Sequence, residues 1–112
     1  MEDQRKKGAG LAVKVLAALA HPTRLLIVCL LLERERYVQE LLAELGTTKG
    51  NISQHLRVLE SQGHVVSRKE SNRVYYSVPD PRLKELLRQL ECLYCPRLTG
   101  AAAAPGNLAR PA

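Results

Sequence analysis

Apolar residues recur at helical spacing before position 35, and their pattern predicts two helices. The first stripe consists of Leu11, Val15, Leu16 and Leu19. His21 and Pro22 then interrupt the pattern, and Pro22 suits the first turn of a new helix because the amide it lacks has no helical partner there. The next segment, residues 25–32, is apolar nearly all round, which predicts a helix buried on several sides.

Two shorter amphipathic patterns follow and meet at Gly46. The first is carried by Val38, Leu41, Leu42 and Leu45, and the second by Ile52, Leu56 and Leu59. Glycine adopts the left-handed conformation freely, so we expect Gly46 to end the first helix and turn the chain. Thr48, or alternatively Thr47, can cap the second helix by accepting a hydrogen bond from the Asn51 amide. The order predicts a helix-turn-helix.

A hairpin pattern comes next. Residues 65–70 and 73–78 are rich in β-branched and aromatic side chains and are separated by a polar turn, which predicts two antiparallel strands. The side chains expected to pack on the helices are Val74, Tyr76 and Val78. The opposite face and the tip then carry Arg68, Lys69 and Arg73.

A final helix begins at Asp80-Pro81, where the aspartate can cap and the proline suits the first turn. Its apolar stripe consists of Leu83, Leu86, Leu87, Leu90 and Tyr94. Because the hairpin and the preceding helix already cover the core, we expect this stripe to form a dimer interface together with the first helix.

These elements define the expected fold class and domain organisation. The chain is mainly α with a β-hairpin wing, a dimeric winged helix-turn-helix in the order α-α-α-α-β-β-α. We expect a flexible N-terminus over residues 1–7 and the folded domain over residues 8–96. Residues 97–112 are low in complexity, and we expect a disordered tail there.

The second helix of the helix-turn-helix has a polar face suited to DNA. At about 100° per residue, Gly50, Ser53, Gln54, Arg57 and Ser61 lie opposite its apolar stripe. A merely solvated face is usually rich in Glu and Lys, whereas short polar residues and a few cations suit base edges and phosphates. Wing cations can also serve only to discourage edge-to-edge aggregation. The predicted DNA-binding residues are Thr48, Lys49, Gly50, Asn51, Ser53, Gln54, His55, Arg57, Arg68, Lys69 and Arg73.

Charge and composition support a nucleic-acid partner. The 112 residues carry 17 Lys and Arg against 11 Asp and Glu, for a net charge of +6, which favours a polyanion. There is no Phe or Trp and only four Tyr, so no aromatic RNA-stacking motif is present. The apolar run at residues 25–32 is too short to cross a membrane, and the N-terminus lacks a signal-peptide core. We expect a cytoplasmic protein without a membrane partner.

The histidines do not suggest a metal site. His21, at a helix junction, is expected to form structural hydrogen bonds. His55 lies on the flank of the apolar stripe, where it can pack against neighbours or contact a phosphate. His64 has no evident partner in the sequence.

Three segments resemble the ArsR family of bacterial transcriptional regulators. They are LAHPTRLLIVCLL at residues 19–31, TTKGNISQHLRVLESQGHV at residues 47–65 and NRVYYSVPDPR at residues 72–82. The resemblance extends over about residues 11–95. It implies a non-enzymatic homodimeric repressor that binds a palindromic operator on double-stranded DNA and lets go when a small effector engages thiols or metal ligands.

The remaining chemistry lies in Cys29, Cys92 and Cys95. One interpretation is three small buried hydrophobes, since disulfides are rare in a reducing cytosol. Cys92 and Cys95 are three residues apart on a helix and project within about 60° of each other, so they should share an accessible face. A CxxC motif of a thiol oxidoreductase normally starts a helix beside a strand, whereas this one ends a helix.

Resemblance to particular branches of the family narrows the effector. Arsenite and lead sensors carry a cysteine pair at positions that here read Tyr37 to Glu40, and zinc sensors have a histidine where this chain has Arg82. The cysteine in LLIVCLL and the cysteine in LYCP resemble the branch that senses sulfane sulfur and redox state. This resemblance implies that Cys29 and Cys95 form the sensing pair, with a persulfide, polysulfide or oxidant as effector.

An alternative uses all three thiols. Cys29, Cys92 and Cys95 could bind As(III) or Sb(III), or Zn(II) or Cd(II) with a fourth ligand, because thiolates favour soft ions. No cofactor is required if Cys29 and Cys95 form the sensing pair. A protein-binding adaptor built on the same fold is a further possibility, against which the cationic wing and the Gln54 and Arg57 face argue.

Overall fold

The computed structural model describes residues 2–94, and this part of the chain confirms the predicted winged helix-turn-helix. The elements follow in the order α1 (Glu2–Leu19), α2 (Pro22–Glu33), α3 (Val38–Leu45), α4 (Lys49–Ser61), β1 (Val66–Glu70), β2 (Arg73–Ser77) and α5 (Pro81–Leu93). The predictions for Cys95 and for the tail at residues 97–112 lie outside the described residues.

The capping signals act where the sequence predicted them. The Nδ1 atom of His21 accepts a hydrogen bond from the Thr23 amide at 3.1 Å, which caps α2 and confirms the structural role of this histidine. The Oδ1 atom of Asp80 accepts from the Arg82 amide at 2.9 Å, which caps α5. Each bond satisfies an amide that a helix start leaves without a helical partner.

The N-terminal boundary differs from the prediction. Helix α1 begins at Glu2, within the segment that we expected to be flexible over residues 1–7. Local propensity favours a helix there, because the residues include glutamine, arginine and two lysines, which lose little side-chain freedom in a helix.

Helix α2 is the centre of the core. It packs against α1, α3, α4, α5 and β2, as its nearly uniform apolar surface predicted. Its buried residues are Ile27, Val28, Cys29, Leu30 and Leu31. Ile52, Leu56 and Leu59 of α4 are buried in the same cluster.

The stripe of α5 corrects the predicted dimer interface. Leu83 and Leu87 are buried within the core of the same chain, and Leu86 and Leu90 pack against it. Helix α5 therefore covers a side of α2 that the hairpin and α4 leave open. Tyr94 is exposed, so the predicted stripe ends before this residue.

Helix α1 leaves part of its apolar surface uncovered. Leu11, Val13 and Leu16 are 64%, 60% and 56% exposed. They line a groove of about 1120 Å³ that also reaches His64 and Leu83. No single described helix is long and apolar enough to cross a membrane, and α1 from Asp3 together with α2 meets that test only as a pair bent by 98°.

The hairpin has the predicted antiparallel strands and polar turn. Strands β1 and β2 are antiparallel, with Val66 opposite Ser77 and Glu70 opposite Arg73. Tyr76 and Val78 pack against the core as predicted. Val74 is exposed instead, because it lies near the tip of the hairpin, beyond the helices.

Candidate nucleic-acid interface

Helix α4 has one buried and one exposed face, as its sequence predicted. The exposed members of the predicted set on this helix are Lys49, Gly50, Gln54 and Arg57, while Asn51 and Ser53 are partly exposed. The buried stripe holds the helix on α2 and α3. The polar face is thereby presented outward on a rigid support, which is the arrangement that recognition of base edges requires.

The turn before α4 is fixed by local bonds. Gly46 has φ of 68° and ends α3 in the left-handed conformation. Thr48 Oγ1, also exposed, accepts from the Asn51 amide at 3.1 Å, which confirms the predicted cap. The Asn51 side-chain amide donates to Thr47 Oγ1 at 3.0 Å, so both threonines take part. Asn51 is therefore positioned for the turn as well as for DNA.

His55 is not part of the exposed face. It is only 8% exposed, and its ring lies 4.3 Å from the ring of His21 between centroids. Burial, followed by the charges of His21 and Arg24, lowers the pKa of His55 below 6.5. The prediction of DNA contact is therefore wrong for this residue, because its side chain packs between α4 and the start of α2.

Arg68 of the wing is held by two carboxylates. Its Nε and Nη2 atoms donate to Glu35 at 2.9 and 2.7 Å, and Nη1 donates to Glu70 at 2.6 Å. Glu35 and then Glu70 raise the pKa of Arg68, and Arg68 in turn lowers the pKa of Glu35. Every nitrogen of the guanidinium already has an acidic partner, so the sequence signal for phosphate contact overstated this residue.

Arg73 has an aromatic support. Its Cζ atom lies 4.3 Å from the centroid of the Tyr37 ring, and the Tyr37 and Tyr75 rings meet edge to face at 5.6 Å. A hydrogen bond with Tyr75 is the main cause of the raised pKa of Arg73. A cation on a ring face is held in place, and no carboxylate partner is needed to hold it there. Arg73 and the exposed Lys69 are therefore the wing cations best placed for phosphates.

The connection between α2 and α3 was missed by sequence reasoning. Arg36 is 5% exposed, and its amide and carbonyl pair with Tyr76 of β2 at 3.2 and 2.9 Å. Its guanidinium donates to the Leu30 carbonyl at 3.0 Å and to Glu33 at 2.7 Å. The spacing of apolar residues along the sequence does not predict the role of Arg36, because its partners lie in two different elements.

The cysteines have different surroundings. Cys29 is 0% exposed and lies in the core cluster with Leu83 and Leu87 of α5. Cys92 is partly exposed near the end of α5. Because α2 packs against α5, the helices that carry the two thiols are neighbours.

A metal centre is not assembled in the described part of the chain. Among residues 2–94, no three His, Cys, Asp or Glu side chains come close enough together to hold an ion. The three-thiol site also needs Cys95, which lies outside this part. That site stays a prediction.

Comparison with known proteins identifies the family. The sequence profile described as "Bacterial regulatory protein, arsR family" matches residues 21–67. The transcriptional activator HlyU of Vibrio cholerae is 37% identical over 92 residues, which cover 82% of this chain and 85% of the relative. A biofilm growth-associated repressor of Xylella fastidiosa is 33% identical over 94 residues, covering 84% and 82%. A probable mercury resistance operon repressor of Streptomyces lividans is 37% identical over 76 residues, covering 68% and 61%.

Solved structures agree with this relationship. Reduced HlyU from Vibrio cholerae superimposes with a TM-score of 0.76 at 37% identity, covering 82% of this chain and 97% of the other. The transcriptional repressor BigR from Xylella fastidiosa superimposes with a TM-score of 0.78 at 30% identity, covering 85% and 97%. The chain therefore belongs to the arsR family of bacterial regulatory proteins and is a DNA-binding transcriptional regulator.

Proposed function

We propose that this regulator is a homodimeric repressor that binds a palindromic operator and releases it when an effector modifies its thiols. The observation that carries the proposal is the exposed polar face of α4 beside a hairpin whose cations Lys69 and Arg73 form no salt bridge among residues 2–94. A helix with such a face fits the major groove, and the hairpin follows the phosphate backbone.

Individual residues suit distinct parts of DNA. Gln54 and Arg57 project from the outer face of α4, and their side chains match the edges of adenine and guanine respectively. Lys49 lies at the start of the same helix, where unpaired amides also attract a phosphate. Lys69 and Arg73 supply backbone contacts, which set orientation rather than sequence preference.

A symmetric dimer is supported by the uncovered surface of α1. Leu11, Val13 and Leu16 are all more than half exposed, and contiguous exposed apolar residues of this size usually mark an interface. A second copy of the chain would cover them through the same surface, since a two-fold interface is self-complementary. Two copies would then present their α4 helices to half-sites about one DNA turn apart.

The direction of regulation is supported by the names of relatives. The biofilm growth-associated repressor of Xylella fastidiosa and the probable mercury resistance operon repressor of Streptomyces lividans are named as repressors, whereas HlyU is named as a transcriptional activator. We favour repression because an operator-bound dimer blocks transcription by occupancy alone.

The burial of Cys29 orders the thiol reaction. A fully buried thiol cannot meet a dissolved polysulfide, so one of the other two thiols, Cys95 or Cys92, must react first. Its thiolate attacks one sulfur of hydrogen disulfide, the S–S bond breaks, and hydrosulfide leaves to give a cysteine persulfide. Cys29 thiolate then attacks the cysteine sulfur and expels a second hydrosulfide. Two thiols and one hydrogen disulfide thus give one disulfide and two hydrogen sulfides.

Cys95 is the proposed first thiol, and Cys92 is the competing one. Cys92 is partly exposed and lies one turn from Arg88, whose guanidinium pairs with Glu85. Packing of α2 on α5 supports a bridge from Cys29 to Cys92 or to the segment that follows α5.

A soft-metal effector is the second candidate. One relative is a probable mercury resistance operon repressor, and thiolates bind soft ions such as Hg(II) and As(III) strongly. Under this alternative Cys92 becomes a ligand together with Cys95, and Cys29 joins only if the core opens.

The test begins with DNA selected from a random pool by the reduced protein. Its dissociation constant is then measured by fluorescence anisotropy for the reduced protein and after treatment with polysulfide, arsenite or Hg(II). Intact mass is recorded in parallel under non-denaturing conditions. Cys29→Ser and Cys95→Ser are compared with Cys92→Ser, which replaces the third thiol and is the matched control.

The outcomes separate the candidates. A palindromic selected site, release by polysulfide and loss of the response in Cys29→Ser and Cys95→Ser are expected. Retention of arsenic or mercury, with release that depends on Cys92, supports the second candidate. Unchanged affinity after all three treatments contradicts thiol control, and failure to select any DNA contradicts the proposal altogether.

A further inference from the structure

Arg36 is a buried arginine that contacts two separate elements. Its guanidinium donates to the Leu30 carbonyl at 3.0 Å and to the Glu33 carboxylate at 2.7 Å. Its own backbone pairs with Tyr76 of β2 in both directions. Burial of an unpaired charge is costly, so these bonds hold the side chain in one position.

The bonding partners of Arg36 lie in two different elements, α2 and β2. Leu30 follows Cys29 in α2, and its carbonyl, in the last turn of the helix, also accepts a hydrogen bond from the Arg34 amide at 3.4 Å. Tyr76 lies in β2, the strand that also carries Arg73. One residue therefore joins the helix that contains the buried thiol to the strand that contains a wing cation.

The residues on either side of Arg36 also contact the hairpin. Glu35 holds Arg68 of the wing by two hydrogen bonds, and the ring of Tyr37 lies under Arg73. Three consecutive residues of one short connection thus each contact the hairpin. The hairpin cannot change its tilt without moving this connection.

We infer that Arg36 is a positioning residue that transmits the state of α2 to the wing. The inference rests on the proposed thiol control at Cys29. A change in packing at Cys29 displaces the Leu30 carbonyl, the guanidinium follows because it is bonded there, and the backbone of Arg36 moves Tyr76. The wing then presents Arg73 at a different place relative to α4.

The test compares Arg36→Lys with a matched control, Arg34→Lys. Lysine keeps the charge but cannot bond Leu30 and Glu33 as a planar fork. Arg34 lies in the same connection, but it pairs with Glu40 at the surface. Two quantities are measured for each variant: the ratio of DNA dissociation constants between polysulfide-treated and reduced protein, and the hydrogen-exchange rate of the Tyr76 amide.

Arg36→Lys is expected to reduce the ratio of dissociation constants by about fivefold or more, a typical lower limit for coupled sites. Exchange at Tyr76 is expected to accelerate, since that amide donates to the Arg36 carbonyl. Arg34→Lys should leave both quantities at the wild-type values. We expect that no surface substitution in this connection restores the ratio in the Arg36→Lys variant.

Each contrary result has its own meaning. An unchanged ratio in Arg36→Lys overturns the inference when the wild-type protein does respond to polysulfide. If the wild-type protein does not respond to polysulfide, the proposed effector is contradicted. The exchange rate alone then tests Arg36, and unchanged exchange of the Tyr76 amide in Arg36→Lys overturns its role. If Arg36→Lys does not fold, Glu33→Gln weakens the same fork, and a wild-type ratio and exchange rate there overturn the inference.

Discussion

The wing offers a prediction in which two neighbouring cations behave differently. Replacement of Lys69 by alanine should weaken DNA binding and reduce its salt dependence, whereas replacement of Arg68 should leave the salt dependence nearly unchanged. The reason is that Arg68 is bonded to Glu35 and Glu70, so it is already neutralised before DNA arrives. Lys69 forms no salt bridge within residues 2–94.

The expected magnitude follows from a count of cations on the proposed DNA face. Lys49, Lys69 and Arg73 are exposed there, are assigned to phosphates and take part in none of the described salt bridges. A dimer would present twice that number, and at about −0.9 per neutralised phosphate the logarithm of affinity should fall with a slope of about −5 against the logarithm of salt concentration. Lys69→Ala removes one contact per protomer and should make that slope less steep by about 1.8.

The assay is fluorescence anisotropy with the selected DNA between about 50 and about 200 mM salt. Arg68→Ala should lower affinity by a similar factor at every salt concentration, because the hairpin loses the bonds that hold it to Glu35. The reasoning is refuted if Arg68→Ala flattens the slope as much as Lys69→Ala does, since Arg68 would then contact a phosphate.

Two further predictions concern α4. Thr48→Ala removes the cap on the Asn51 amide and should lower the free energy of unfolding by about 1 kcal/mol, measured by urea denaturation; Thr48→Ser should restore it, and an equal loss in both variants would contradict the capping role. Burial lowers the pKa of His55 below its ordinary 6.5, so the unfolded chain binds the proton more readily. The stability due to neutral His55 is therefore present above pH 6.5 and is lost as the pH falls through the lower folded pKa. Urea denaturation between about pH 5 and about pH 8 should show this loss, and His55→Gln should reduce it; an identical pH dependence in the variant would exclude His55 as its source.

The features that sequence predicted well are those determined by near neighbours. Gly46 and Thr48 set the turn before α4 through their own backbone preference and through a bond to a residue three positions away. The face of α4 that is buried also follows from spacing along one helix. A few consecutive residues therefore contain all that is needed to predict the turn before α4 and the buried face of this helix.

The features that sequence missed depend on which segments meet. Arg68 and Glu35 are 33 positions apart, and the contact between His21 and His55 joins two helices. Periodicity gave the apolar stripe of α5 correctly, but it could not say whether the stripe meets α2 or a second copy of the chain. Leu83 and Leu87 are buried in the chain's own core because α2 has more apolar surface than its other neighbours cover.

The central position of α2 explains how chemistry at one thiol can change a distant DNA face. Cys29 is fully buried in the helix that packs against α4 and against β2. A disulfide there cannot form without repacking, and changes of shape in a packed core cost about 1–3 kcal/mol. That cost matches the coupling of about 1–3 kcal/mol between sites in allosteric proteins. Under the proposed thiol control, the burial of Cys29 means that a bridge at this thiol would displace the helix on which both α4 and the wing rest.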